Sequence, residues 1–243
     1  FIISAFLYIN PTYIYSVRWE FFDYYLQNSY LGYFFTLLCL TILINGSNFM
    51  DGLNILVVGY FLIVTYIIFH LSNNFSLDLN FHLVKIILAA LLVIFVFNFF
   101  GKLFLGDSGA YLISFILGYI LIQFSYDNNQ LVSPYFAACM LWYPAYENLF
   151  SIIRKKFNRK SATKADKTHL HQLLYIFIRS RLSFSGKVIN TLTGLIIIFF
   201  NLSALLIGAK FFDDSKMLIL LLLLLVISYN FFYYYLKKNI KHN

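Results

Sequence analysis

Charge is what this sequence lacks most. Only 12% of its 243 residues are Asp, Glu, Lys or Arg, whereas 61% are hydrophobic and 21% are aromatic. A soluble domain of this size needs far more polar surface, so the composition excludes an ordinary soluble fold. We expect an all-α, polytopic transmembrane helical bundle, with residues 1–243 forming a single transmembrane domain of about seven to eight membrane segments.

Cysteine is scarce, and the first residues of the given sequence lack the pattern of a signal peptide. Cys39 and Cys139 lie within apolar runs, which predicts packing rather than a disulfide or metal framework. The sequence opens in the middle of an apolar run, Phe1–Ile9, that is too short to span a bilayer. It also lacks the basic start and small-residue cleavage site of a signal peptide. We therefore expect the natural protein to begin further upstream.

Long apolar runs recur along the chain and define the candidate membrane segments. They are Phe1–Ile9 (in part), Leu31–Ile44, Leu53–His70, Leu83–Phe100, Ala110–Tyr126, Val132–Phe150, Val188–Ile207 and Met217–Leu236. The aromatic-rich stretch Asn10–Tyr30 is typical of an interfacial segment.

The basic residues predict an orientation. Ten of the 18 Lys and Arg residues fall within a connector at 151–187, so this basic loop is expected in the cytoplasm. Counting crossings from it places Lys102 and the basic tail on the same side, which makes fourteen of the 18 cytoplasmic. Asn45–Asn54 and Lys102–Gly109 then emerge on the cytoplasmic face as well. We attribute the net charge of +8 to basic residues that lie at the membrane surface, and we expect no nucleic-acid partner.

The stretch Asn45–Leu56 places polar groups between two apolar runs. It contains Asp51 together with Asn45, Asn48 and Asn54. A carboxylate at membrane depth is costly and usually has a function. Alternatively, Asp51 caps the helix that follows it. A cap alone does not account for the clustered asparagines, so we favour a functional role, with or without capping.

A second polar stretch runs from Lys102 to Tyr111. Gly106 and Gly109 allow the backbone to come close to a ligand. The N-terminus of the following helix favours phosphate, and Asp107 is an oxygen ligand suited to a hard cation such as Mg²⁺. The alternative is a capped turn without a ligand.

The third stretch, Asp166–Gln172, contains His169 and His171. Residues two positions apart do not share a helix face, and no further Cys or His lies nearby, so a zinc site is disfavoured. The histidines suit two donors to a phosphate or sugar. A solvated basic loop near anionic headgroups is the alternative, and we favour that interpretation for Arg154–Lys160. Glu147 either pairs with an arginine or faces the site.

In combination, the three stretches resemble the polyprenyl-phosphate N-acetylhexosamine-1-phosphate transferases, of the glycosyltransferase family 4 type. Asn45–Leu56 resembles that family's Asn-rich segment ending in Asp-Gly-x-Asp-Gly, and Phe104–Gly109 is similar to its Phe-Met-Gly-Asp-Ser/Thr-Gly. Asp166–Gln172 resembles its Asp-Arg-x-His-Leu-His-His. The order and spacing fit over nearly the whole chain, and the His-Leu-His form is closer to the undecaprenyl-phosphate N-acetylglucosamine-1-phosphate branch.

The resemblance implies a reaction. A UDP-N-acetylhexosamine would give its sugar-1-phosphate to undecaprenyl phosphate at the cytoplasmic face of a bacterial plasma membrane. UMP would leave, and a lipid-linked glycan such as a cell-wall polymer or O-antigen would be started. Asp107 would hold Mg²⁺ or Mn²⁺, and Asp51, His169 and His171 would complete the catalytic set. The substrate-binding residues would be Asn45, Asn48, Gly52, Leu53, Asn54, Lys102, Phe104 and Asp166. Of these, residues 52–54 would line the uracil pocket and Phe104 would stack on the base.

The sequence also departs from the family pattern. Asn54 stands where a second Asp is usual, Ile55 replaces Gly, Gln172 replaces a third His, and Glu147 stands where Asp is common. The paired aspartates expected upstream of Asn45 are absent, so we expect residues 1–243 alone to turn over little and the upstream helices to restore activity. A transporter or flippase, an inactive pseudo-enzyme and a CDP-alcohol phosphotransferase are the rival interpretations. The oligomeric state is left open, with a homodimer as one candidate.

Overall fold

The computed structural model describes residues 2–10, 12–157 and 168–240, and within them the regular structure is helical, with no strand. The helices of this part of the chain are α1 (Ile2–Ile9), α2 (Glu20–Leu26), α3 (Ser29–Met50), α4 (Leu56–Phe75), α5 (Phe81–Phe99), α6 (Gly106–Asp127), α7 (Pro134–Met140), α8 (Trp142–Phe157), α9 (Leu170–Arg179), α10 (Gly186–Lys210) and α11 (Ser215–Ile240).

Six of these helices, α3, α4, α5, α6, α10 and α11, are long and apolar enough to cross a membrane. The expected all-α polytopic bundle is therefore confirmed, with six such helices instead of seven to eight. The difference falls on two predicted segments. Phe1–Ile9 contains only the eight-residue helix α1, and Val132–Phe150 is divided at Leu141 between α7 and α8.

Pro144 explains the break between α7 and α8. It has no N–H, so it cannot donate the helical hydrogen bond to the carbonyl of Met140. That carbonyl instead accepts the Tyr60 hydroxyl of α4 at 2.9 Å. The two short helices still run the length of the bundle. Before α7, the Ser133 N–H donates to the Phe212 carbonyl in the α10–α11 turn, and near the end of α8 Arg154 contacts Tyr233 of α11.

Successive crossings alternate in direction, so the bundle has two ends. At one end the Arg18 guanidinium donates to the carbonyls of Asn129 and Asp213, which ties the first loop to the α6–α7 and α10–α11 turns. The other end gathers residues 51–55, 100–107 and 168–171, and we call it the motif end. The predicted basic loop at 151–187 is partly helical there, because α8 extends into it and α9 lies within it.

α3 and α8 cross very closely near the motif end. A Cβ added at Gly46 would lie 1.8 Å from the carbonyl oxygen of Pro144. The Asn148 side chain of α8 also donates to the Ile42 carbonyl of α3 at 2.9 Å. Lipid tails are as apolar as the helices themselves, so close backbone approach and hydrogen bonds of this kind hold transmembrane helices together.

Candidate active site

The first motif lies at the end of α3 and in the turn that follows. α3 continues through Met50, so Asn45 and Asn48 are helical residues. Asp51 ends α3 with φ −69° and ψ 7°, whereas the N-cap position of α4 belongs to Ile55. The alternative interpretation of Asp51 as the cap of the following helix is therefore wrong, and its carboxylate is available for another contact.

That contact is with the second motif. The Asp51 carboxylate lies beside the backbone N–H of Gly106, and the Asp107 carboxylate lies close by. Burial raises the pKa of Asp51 to about 6, the N–H of Gly106 opposes this change, and the negative charge of Asp107 adds to it. Gly106 has φ +67°, and a Cβ there would meet nothing within 4 Å. Glycine is thus suited to this position by its backbone conformation, which begins α6 beside Asp51.

Asp51 and Asp107 form a pair suited to a divalent cation. Among the described residues, no group of three or more His, Cys, Asp and Glu side chains is placed to hold a metal ion. Mg²⁺ commonly binds through one or two protein carboxylates and completes its shell with substrate phosphates and water. Two like charges side by side, one of them with a raised pKa, are the arrangement that such a cation would neutralise.

The third motif packs against the first. His169 precedes α9, and its ring lies 4.8 Å from the ring of Phe49, between centroids. His171 stacks on His169 at 5.6 Å. A Cβ added at Gly52 would lie 3.8 Å from His171 Nε2. The structure therefore brings the predicted residues Asp51, Gly52, Asp107, His169 and His171 together at the motif end.

His171 is fully buried, and neither of its ring nitrogens has a hydrogen-bond partner within the described ranges. Burial lowers the pKa of His171 to about 4; the negative charge of Glu147 opposes this change, and His169 adds to it. The ring is therefore neutral at pH 7, with one nitrogen that donates and one that accepts. Such unmet hydrogen-bonding capacity beside Gly52 suits a polar ligand.

Two residues of α8 hold the start of the third motif. The Glu147 carboxylate faces His169, with 2.9 Å between Oε1 and Nδ1, so the alternative that it pairs with an arginine is not what the structure shows. The Arg154 guanidinium donates to the carbonyl of Thr168 and, at 2.6 Å, to the Tyr233 hydroxyl. The interpretation of Arg154 as part of a solvated basic loop is thus wrong. Arg159 and Lys160 lie outside the described residues.

Sequence reasoning assigned no role to the polar residues that fix the α3–α4 turn. Asn190 of α10 accepts the N–H of Asn54 at 2.7 Å, and Thr191 accepts the side-chain amide of Asn54 at 3.1 Å. Asn98 accepts the N–H of Ile55 and donates to the Leu103 carbonyl at 2.7 Å. The available signal was that Asn98, Asn190 and Thr191 all lie at the motif-end termini of apolar segments.

The other predicted binding residues are distributed around this turn. Asn48 donates to the Tyr111 hydroxyl at 3.1 Å, whereas Asn45 is exposed and donates to Thr41 of its own helix. Leu53 is buried under the turn, and Phe104 is 67% exposed. Lys102 is also exposed on the α5–α6 loop, and Asp166 lies outside the described residues.

Comparison with known proteins identifies two curated relatives. A probable undecaprenyl-phosphate N-acetylglucosaminyl 1-phosphate transferase of Bacillus subtilis is 28% identical over 151 residues, which are 61% of this chain and 42% of that protein. A decaprenyl-phosphate N-acetylglucosaminephosphotransferase of Mycolicibacterium smegmatis is 32% identical over 158 residues, covering 56% of this chain and 39% of that protein.

The chain thus spans about two-fifths of the length of the curated relatives it matches. No solved structure matches it. Residues 1–125, just over half of the sequence, match the family described as glycosyl transferase family 4. This match includes the first two motifs, which the fold joins through Asp51 and Gly106, and the chain therefore belongs to glycosyl transferase family 4.

Proposed function

We propose that the protein to which this chain belongs transfers a sugar-1-phosphate from a UDP-N-acetylhexosamine to undecaprenyl phosphate, releasing UMP. The observation that carries this proposal is the meeting of three motifs at one end of a helical bundle. Paired carboxylates, a helix N-terminus and a buried neutral histidine lie together there. These groups suit a diphosphate, and the names of both relatives include a polyprenyl phosphate.

The position of the site suits one water-soluble and one membrane-bound substrate. Nine of the described Lys and Arg residues belong to the motif end and four to the opposite end, and by the positive-inside rule this excess supports a cytoplasmic motif end. The four are Arg18, Lys85, Lys210 and Lys216. A nucleotide sugar would enter from the cytoplasm, while the isoprenoid tail stays in the bilayer of a bacterial plasma membrane.

In the proposed reaction, a phosphate oxygen of undecaprenyl phosphate forms a bond to the β-phosphorus of the nucleotide sugar. The bond from that phosphorus to the bridging oxygen breaks, and its electron pair leaves with UMP. Such transfer depends mainly on positioning and on stabilising negative charge. The first-turn N–H groups of α6 and the ring N–H of His171 would donate to phosphate oxygens. The exposed ring of Phe104 would stack on uracil.

Asp51 and Asp107 would hold Mg²⁺ or Mn²⁺, which when bound supplies positive charge to the diphosphate. The remaining predicted residues would position the substrates. Gly52 and Leu53 would line the base pocket, since they lie in the turn between Asp51 and Asn54. Asn48 presents a buried Oδ1 without a partner among the described atoms, and this oxygen would accept a donor from the substrate.

The test is UMP release by the full-length protein in membranes from a panel of UDP-N-acetylhexosamines, with and without undecaprenyl phosphate and Mg²⁺. We expect release to require both, and Asp107→Asn to lower it about a hundredfold or more, because metal binding supplies several kcal/mol of charge stabilisation. Asp127→Asn, at the other end of the same helix, is the matched control and should retain activity. Absence of release from a folded wild-type protein with every sugar would instead favour a transporter or an inactive pseudo-enzyme.

A further inference from the structure

Glu147 is an acidic side chain that the proposed reaction does not yet use. It is 1% exposed, on the part of α8 that packs against the start of α9. Its Oε1 lies 2.9 Å from His169 Nδ1 and accepts the N–H of Leu170 at 3.2 Å. Burying a carboxylate costs several kcal/mol unless it is paired and hydrogen-bonded, so a simple packing role would be better served by an apolar residue.

The two contacts of Oε1 favour one tautomer of the His169 ring. Oε1 already accepts a backbone N–H, so it acts as an acceptor, and Nδ1 can hydrogen-bond to it only if Nδ1 carries the proton. In the neutral ring the other nitrogen, Nε2, is then unprotonated. Nε2 lies on the side of the ring away from Glu147, and the same ring packs against Phe49 of the first motif and stacks on His171.

Arg154 restrains the same segment independently. Its guanidinium packs against the rings of Phe150 and Tyr233 and donates to the carbonyl of Thr168, the residue before His169. α8 therefore holds the backbone on one side of His169 through Arg154 and on the other through Glu147 and Leu170. The ring has little freedom to rotate away from the Glu147 carboxylate, and a tautomer fixed in this way is a property of the folded site.

We propose that Glu147 is a positioning residue that fixes His169 as its Nδ1–H tautomer and so makes Nε2 a proton acceptor for a phosphomonoester. This role deepens the proposed function and rests on it. The proton moves from a P–OH group of the incoming phosphate to Nε2, the phosphate oxygen keeps the electron pair, and Glu147 balances the charge of the resulting imidazolium. His169 and His171 thus differ: the former accepts a proton from the acceptor substrate, and the latter donates a hydrogen bond.

The direct test is ¹⁵N NMR of full-length protein labelled at histidine nitrogens, at pH 8, with the His169 signals assigned by their loss in His169→Asn. In the wild type we expect a protonated Nδ1 and an unprotonated Nε2. Glu147→Leu, which removes the acceptor at similar volume, should convert His169 to the Nε2–H form that free histidine prefers. Glu147→Gln keeps an acceptor oxygen and should retain Nδ1–H. A wild-type His169 ring protonated at Nε2 would overturn the proposal.

Activity provides the second readout. We expect kcat to fall about a hundredfold in Glu147→Leu and at most about tenfold in Glu147→Gln, with KM for the nucleotide sugar little changed, as for carboxylates that orient metal-bound histidines. Tyr143→Phe is the matched control: the buried Tyr143 hydroxyl lies near Glu147 but has no hydrogen-bond partner among the described atoms, so tautomer and kcat should be unchanged. If the wild type is active and Glu147→Leu has the same kcat as the wild type, the positioning role is refuted. An inactive wild type with the expected tautomer would refute the transferase proposal instead.

Discussion

Replacing Gly46 with alanine should separate the two helices that carry the site. The added Cβ would lie 1.8 Å from the Pro144 carbonyl oxygen and 2.6 Å from its carbon. Both are backbone atoms, so no side chain can rotate to make room. Ordinary contact begins near 3.4 Å, and α3 and α8 would have to move apart locally by about 1.6 Å, more than the gap that halves a van der Waals attraction.

The cost follows from what this movement breaks. Overpacking a tight contact typically costs 1–3 kcal/mol, occasionally more, and backbone contacts belong at the upper end. The bond from Asn148 to the Ile42 carbonyl would stretch as well, adding about 1 kcal/mol. We therefore expect about 3–4 kcal/mol of destabilisation. Because α3 leads to Asp51 and α8 carries Glu147, the same movement should draw His169 away from Phe49. Transferase activity should therefore fall by more than the loss of folded protein alone would cause.

The assay is thermal unfolding of the purified protein in detergent, together with UMP release well below the melting temperature. A loss of about 3 kcal/mol corresponds to roughly 6–12 °C for a chain of this size. Gly118→Ala is the matched control, since its Cβ would meet only the tips of Leu40 and Leu43 on α3, at 2.8 and 2.6 Å, and those can rotate. If Gly46→Ala melted no lower than Gly118→Ala, the close crossing would be disproved.

Two further predictions concern the turn and the carboxylate pair. Ile55 is buried with φ +60°, a conformation costing a β-branched residue about 1–2 kcal/mol. Ile55→Gly should therefore be at least as stable as Ile55→Ala in thermal unfolding. At Ile67, within helix α4, the glycine variant should instead be about 1 kcal/mol less stable than the alanine variant. Because the metal-free folded protein holds the Asp51 proton up to about pH 6, its stability should fall as pH rises from about 4 to 6 through this group. Mg²⁺ must displace that proton at pH 5 but not at pH 7.5, so it should raise the melting temperature more at pH 7.5. Asp51→Asn should abolish the difference, and equal increments in the wild type would contradict the assignment.

Much of the fold was predictable because a bilayer imposes simple rules. Apolar runs of sufficient length form helices there, and the alternation of basic residues predicts their direction. The helices α4, α5, α10 and α11 accordingly lie close to their predicted segments. α3 extended past its predicted end at Ile44 to Met50, because the polar residues after Ile44 stay helical where they pack on α8 and α6. The split of Val132–Phe150 was signalled only by Pro144, whose effect depended on Tyr60 being near to satisfy the freed carbonyl.

The grouping of the three motifs was likewise predictable, but their pairings were not. Motif spacing and topology place Asp51, Asp107 and His171 at one end of the bundle. They do not say that Asp51 meets the N–H of Gly106 or that Glu147 meets His169, since both contacts join residues far apart in sequence. Gln172 stands where the family has a third histidine. Its side-chain oxygen accepts the backbone N–H of His169 at 3.3 Å and so helps to begin α9. Such a role depends on helix termini that hydropathy cannot place within a residue or two.

Asn54 shows how the departures from the family pattern fit their surroundings. The Thr191 hydroxyl accepts the Asn54 amide at 3.1 Å and donates to the Phe99 carbonyl at 3.5 Å. A carboxylate at position 54 has no hydrogen to donate. The Thr191 hydroxyl would then have to donate to that carboxylate, and the Phe99 carbonyl would lose its hydrogen bond from Thr191. Asn54 also lies 5% exposed, where an unneutralised charge would be costly. Its side chain thus serves to bind the α3–α4 turn to α10, while the carboxylate pair beside Gly106 is formed by Asp51 and Asp107 without it.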